Sequence, residues 1–166
     1  RADSLFNVVD SNYTSLMKTA RRSHIVRSMI TERKTGPVWY VAGGQSSIGR
    51  MITDANGRYA FSDDTHSGSL RLPFETVLDK AGNSDLWLFK YNGTKPFTYN
   101  DLMAECSGYS ELKSVKDRQV YGCNASAIPF FEETPFRPDW LLRDFIILLH
   151  PDIMTLLGTP KYYTKL

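Results

Sequence analysis

The sequence predicts an α/β fold: a three-layer sandwich around a mostly parallel sheet of about four to five strands, preceded by one long helix. Three observations carry that prediction. Short apolar runs of strand character alternate with amphipathic segments of helical length, the pattern of right-handed βαβ units. The run Leu86-Trp87-Leu88-Phe89 is apolar at every position, as a strand covered on both faces requires. The chain also opens on a stripe of Leu5, Val9, Tyr13, Leu16 and Ala20, widened by Phe6 and Met17, at steps of three and four. Such a helix is about 30 Å long at 1.5 Å per residue.

The remaining elements follow in order. Residues 23–30 hold a new apolar cluster after the basic break at Arg21-Arg22 and read as the first buried strand, although Val26 and Ile30 also keep the helical period. A loop at 31–36 leads into Val38 to Val41, a second strand. Gly43-Gly44-Gln45-Ser46-Ser47 reads as a turn and N-cap for a short helix carrying Ile48, Met51 and Ile52, ended by Asn56-Gly57. Tyr59-Ala60-Phe61 reads as a short strand, and 62–69 as a polar loop. Pro73 opens a helix with Phe74, Val77 and Leu78 that stops at Gly82. After the strand at 86–89 come a loop at 91–96, a helix with Leu102 and Met103, and a last strand at Gln119-Val120-Tyr121. An aromatic, Pro-rich loop at 128–137 precedes a strongly apolar helix from Pro138 to Leu149, and Ile153 to Leu157 add a final helical turn.

Composition narrows the function classes. The 166 residues suit one domain, and 42% apolar with 23% charged residues is ordinary for a globular protein. The net charge of +2 comes from scattered residues and forms no stripe for nucleic acid. No apolar run approaches the roughly 20 residues of a membrane-spanning helix. The sequence starts at Arg1 inside a helical pattern, with neither an initiator Met nor a secretory leader, and reads as a piece of a longer protein. Cys106 and Cys123 lack metal-type spacing; they are either two small buried residues or a disulfide, which needs Cα atoms within about 7 Å.

Catalytic motifs fail one by one. Gly43-Gly44-Gln45-Ser46-Ser47-Ile48-Gly49 has neither dinucleotide spacing nor a phosphate-loop Lys, and lacks the Gly-x-Ser-x-Gly elbow. It remains a Gly-rich turn that is either plain or ligand-facing. Asp63-Asp64-Thr65-His66 puts carboxylates beside an imidazole, but neighbours so close in a loop seldom hold one ion without distant partners. With His24, His66 and His150 the only histidines, a His-rich zinc site is not expected. Nor does any spacing favour a Ser46, His66, Asp63 triad, so an enzyme is not expected.

Several stretches follow one another in a telling order: Trp39-Tyr40-Val41-Ala42-Gly43-Gly44, Asp63-Asp64 with Gly68-Ser69-Leu70, Leu72-Pro73-Phe74-Glu75 and Asp85-Leu86-Trp87-Leu88. Val120-Tyr121-Gly122-Cys123-Asn124, Arg137-Pro138-Asp139-Trp140-Leu141-Leu142, Leu149-His150-Pro151 and Tyr162-Tyr163-Thr164-Lys165-Leu166 continue the series. Together they resemble the C-terminal half of the helical-backbone class of periplasmic binding proteins, which carry ferric siderophores, haem and cobalamin. In that class two lobes are joined by a rigid helix and the ligand sits between them. The resemblance implies that residues 1–22 end the interlobe helix and 23–166 form the C-terminal lobe, with the N-terminal lobe missing.

Ligands of open parallel sheets lie beyond the carboxyl ends of the strands. Those loops here hold Trp39, Tyr40, Gly44, Ser67, Ser69, Tyr91, Asn124, Phe130 and Phe131, a set of aromatic faces and hydrogen-bonding groups suited to a flat, partly apolar chelate. The resemblance further implies that Glu75 docks onto a membrane permease of an ABC importer, that His66 is an outside candidate for an iron ligand, and that the protein is periplasmic, with lipid anchoring left open. No resident cofactor is expected; the small-molecule cargo would be an iron chelate, haem or a cobalamin. The competing readings are a scaffold domain of the same fold and a flavodoxin-like enzyme.

Overall fold

The computed structural model describes residues 2–166. The opening stripe is helix α1, Ala2–Ala20. The first strand, β1, is confined to Met29–Thr31, so only the end of the 23–30 cluster is extended. From here the chain departs from the expected alternation. β2, Lys34–Thr35, turns at Gly36, whose φ of +60° suits a residue without a Cβ, into β3, Val38–Ala42. Helix α2, Ser47–Asp54, follows, and then β4, Ser69–Pro73, pairs antiparallel with β3. These three strands form a separate antiparallel sheet in the order β2-β3-β4.

Helix α3, Phe74–Ala81, precedes β5, Leu86–Tyr91; α4, Tyr99–Glu105, a 3₁₀ turn at Ser107–Glu111 and α5, Lys113–Lys116, cross over to β6, Val120–Asn124. The short α6, Phe130–Glu133, the long α7, Pro138–Leu149, and α8, Met154–Leu157, lead to β7, Thr164–Lys165. The main sheet has four strands in the order β1-β5-β6-β7. β1, β5 and β6 run parallel, with Met29 opposite Leu86 and Trp87 opposite Val120, while β7 pairs antiparallel with β6 at the edge.

Two sequence expectations are corrected. Tyr59 to Phe61 is not a strand: successive turns, with Ser62 N–H donating to the Tyr59 carbonyl and Asp64 N–H to that of Phe61, leave only a single bridge between Arg58 and Ser28. Also, β6 is not the last strand, since β7 follows it. Its two residues are exposed and carry no apolar pattern to announce it.

β5 is buried at Leu86, Trp87, Leu88 and Phe89 alike. Alternate side chains of a strand point to opposite faces, so both faces of the sheet are covered. Trp87 and Phe89 face the side of Tyr109 and Phe97, at ring separations of 4.8 and 5.3 Å. α7 is buried along most of its length and packs against α1. At about 1.5 Å per residue, α7 is roughly 18 Å long against about 28 Å for α1. The first turns of α1 therefore overhang, and Leu5 and Phe6, expected on its buried face, are 43% and 67% exposed. Further along, Asn12 donates to Asp139 (3.1 Å), Tyr13 to Asp54 (2.7 Å), and Asn56 to the Ala20 carbonyl (3.3 Å), fixing α1 to the body. Cys106 and Cys123 are both free thiols, and burial pushes that of Cys123 up to about 11.

Candidate functional site: the carboxyl edge of the sheet

Three strand ends shape this edge. Where β1 stops, Glu32 takes a left-handed backbone with φ of 68°. Its N–H donates to the Leu88 carbonyl (3.1 Å), and its own carbonyl accepts from Trp87 Nε1 (2.7 Å). A non-glycine residue held there costs about 1–3 kcal/mol, which the surrounding bonds must offset. The turn throws Glu32 and Arg33 outward beside the end of β5. Glu32 pairs with Lys90 (2.8 Å) and Arg33 with Glu105 (2.6 Å). The Arg33 guanidinium also donates to the Lys90 carbonyl and lies 4.9 and 5.0 Å from the Phe89 and Phe97 rings. Stacking on two aromatic faces makes it a preorganised cation with donors to spare. Of these, Glu32, Arg33 and Lys90 were read only as loop in the sequence. The available signal was a run of charge directly after a buried strand.

On one side of Arg33 a cavity of about 440 Å³ is lined by Glu32, Thr35, Tyr40, Ser46, Ile48 and Ser69, together with Ser47, Ser67 and Gly68. On the other side a second hollow, about 510 Å³, runs over Tyr91, Asn92, Lys95, Phe97 and Glu105. Of the expected ligand residues, Tyr40, Ser67 and Ser69 thus converge on the first cavity and Tyr91 on the second. Tyr40 is 44% exposed and lies opposite Arg71 on the open face of the antiparallel sheet.

The others are placed differently. Trp39 is fully buried and donates from Nε1 to the Thr31 carbonyl (2.9 Å); stacked on Phe74 and tilted onto Trp87, it is core. Phe130 is likewise buried, edge-on to Tyr162 at 5.4 Å, whereas Phe131 is 59% exposed. Lys90 sits over both rings. Asn124 spends its amide on the N–H and C=O of Gly93 and on the Ser126 N–H, tying the loops after β5 and β6 together. Gly44 points no free N–H at a ligand: it donates to Asp64 Oδ2 (3.1 Å), and a Cβ there would strike the carbonyls of Asp64 and Phe61. Gly43 and Gly44 are small so that the 62–68 loop can lie against them. Glu75 is exposed in the first turn of α3.

Within that loop His66 is exposed and its Nδ1 lies 2.7 Å from Asp64 Oδ1. Desolvation opposes ionisation of Asp64, but the hydrogen bonds from the His66 ring and from the Gly44 and His66 N–H groups outweigh it and hold the carboxyl below its ordinary range. Among the described residues no group of three or more His, Cys, Asp or Glu could hold a metal ion.

No family model matches the sequence. Solved structures do resemble the fold. The periplasmic heme-binding protein RhuT of Roseiflexus sp. RS-1 superposes with a TM-score of 0.68 at 18% identity, over 90% of this chain and 55% of its own. The TroA-like periplasmic binding protein FepB of Veillonella parvula gives 0.66 at 16%, over 99% and 56%, and an ABC-type Fe3+-hydroxamate transport protein of Saccharomonospora viridis gives 0.67 at 16%, over 88% and 48%. The chain has the fold of one lobe of a periplasmic solute-binding protein. It spans about half the length of those structures. An uncharacterized lipoprotein of Methanocaldococcus jannaschii is 25% identical to this chain over 114 residues, 68% of this chain and 26% of that protein. Among the described residues no helix is long and apolar enough to cross a membrane.

Proposed function

We propose that this lobe is half of the ligand trap of an extracytoplasmic ABC-importer binding protein, capturing an iron chelate or haem between itself and a second lobe. The observation that carries the proposal is the edge at the ends of β1 and β5. There a strained Glu32, an aromatic-stacked Arg33 and the Tyr40, Ser67 and Ser69 wall open onto solvent, beyond the carboxyl ends of parallel strands. The proteins of like fold include one described as heme-binding and one as part of Fe3+-hydroxamate transport, which supports the cargo class. In this proposal α1 continues the connection to an N-terminal lobe, residues 23–166 supply the C-terminal lobe, and exposed Glu75 docks the loaded protein on its permease. Tyr40, Ser67, Ser69, Tyr91 and Phe131 contact cargo. Trp39 and Phe130 support the wall from behind, and Gly44 and Asn124 shape its loops.

The test is calorimetric titration of the two-lobed protein with ferric haem, cobalamin and a ferric hydroxamate. Saturable binding of one of them, weakened about tenfold or more by Arg33→Ala or Tyr40→Ala, is the expected result, each tenfold step being 1.4 kcal/mol. No binding of any chelate would transfer the lobe to the scaffold reading.

A further inference from the structure

We propose that Glu105 is a positioning residue of the cargo site: braced by the hydroxyl of the buried Tyr109, it holds the Arg33 guanidinium in place for an oxygen acceptor of the cargo. The inference rests on the carrier function above and concerns how the cation of that site is held.

A closed ring of hydrogen bonds carries the inference. Glu105 accepts from Arg33 Nη1 at Oε2 (2.6 Å) and from the Tyr109 hydroxyl at Oε1 (2.8 Å). The same hydroxyl accepts from the N–H of Lys34, the residue next to Arg33 (3.1 Å). Tyr109 is fully buried, edge-on to Trp87 at 4.8 Å and to Trp39 and Phe74 at 5.9 Å. The ring therefore starts in the aromatic core and ends at the carboxyl edge of the sheet.

Exposed ion pairs as a rule fix long side chains poorly, because two flexible stems lose entropy for a screened attraction. This pair is partly withdrawn from water, at 23% and 29% side-chain exposure, and each partner has a second anchor. For Arg33 these are the Lys90 carbonyl (3.2 Å) and the Phe89 and Phe97 rings; for Glu105 it is Tyr109. Arg33 borders the 440 Å³ cavity and Glu105 the 510 Å³ hollow, so the pair forms the divide between them. Two guanidinium N–H groups are engaged by the protein, and the others can only donate. The cargo group that matches them is an oxygen acceptor.

A carboxylate accepts at both oxygens, whereas an amide of the same shape accepts at one atom and donates at the other. Glu105→Gln must therefore give up either Tyr109 or Arg33 at constant volume, and Tyr109→Phe removes the brace while keeping the ring. The experiment records nitrogen NMR spectra of the Arg33 guanidinium in the full-length protein and in both variants. Ferric haem, cobalamin and a ferric hydroxamate are then titrated calorimetrically into each. Separate Nη signals, the mark of slow guanidinium rotation, are expected in wild type and should merge in both variants. The chelate that binds wild type should bind about tenfold more weakly to Glu105→Gln and about threefold more weakly to Tyr109→Phe. In an Arg33→Ala background Glu105→Gln should have no further effect on affinity, which a general structural role would not produce. Unchanged Arg33 signals in Glu105→Gln, or an affinity loss that persists in the Arg33→Ala background, would overturn the inference and leave the carrier function intact. Equal affinity of Glu105→Gln and wild type would do the same. Failure of every chelate to bind wild type would remove the carrier function and the inference together.

Discussion

At the scale of single residues, Trp39 shows how far side-chain chemistry alone can mislead. An aromatic residue next to a Gly-rich turn invites a ligand role, yet Trp39 lies at 0% exposure among Phe74, Trp87 and Tyr109. The clue was in the neighbours: β3 alternates, with Trp39 and Val41 buried and Tyr40 outward. That alternation belongs to a half-buried antiparallel strand. Trp39→Ala is therefore expected to lower unfolding stability by about 3–5 kcal/mol, the range for emptying a large aromatic site. Denaturant titration measures it; a loss below about 1 kcal/mol would return Trp39 to the surface. Arg33 and Glu32 were missed for the converse reason. Their importance comes from the left-handed turn at Glu32 and from partners more than 50 positions away, neither of which leaves a local signature.

At the scale of elements, the helices were the most legible parts. α1, α2, α3, α4 and α7 lie where periodicity and end signals put them, because their stripes pack on one another and on the sheet. β1, β3, β5 and β6 were found as apolar runs, but β2, β4 and β7 were not. Lys34–Thr35, Ser69–Pro73 and Thr164–Lys165 are short, polar or edge segments stabilised by partners distant in sequence.

One such long-range tie aligns β1 with β5. Asp85 accepts from the Ser28 N–H (2.9 Å) and hydroxyl (3.1 Å) and from Lys113 (2.6 Å). Desolvation works against the Asp85 charge, but the bonds from Lys113 and Ser28 prevail and hold the carboxyl below its ordinary range. A folded-state value below the unfolded one gives stability that is fully present above the unfolded carboxyl value of about 3.9 and is lost as pH falls through the folded value. Asp85→Asn should thus be less stable than wild type near neutrality, with the gap closing below about pH 4. Denaturation midpoints across a pH series check this; a gap constant into the acid range would show that Asp85 contributes no linkage.

At the scale of the whole molecule, the α/β class, the long leading helix and a mostly parallel main sheet were readable from residue order. The second sheet was not, and it matters because it carries Tyr40 and Ser69 to the wall of the cavity. Burial is densest along α7 and β5. The lobe is open where its strands end, and there an aromatic-stacked cation and several hydroxyls border one cavity. Hydrogen–deuterium exchange of the full-length protein, with and without a saturating chelate, tests that placement most directly. Protection is predicted at residues 32–35, 62–69 and 91–97, with little change along α7. Protection confined to other surfaces, with those three segments exchanging as in the free protein, would contradict the assignment of the ligand to this edge.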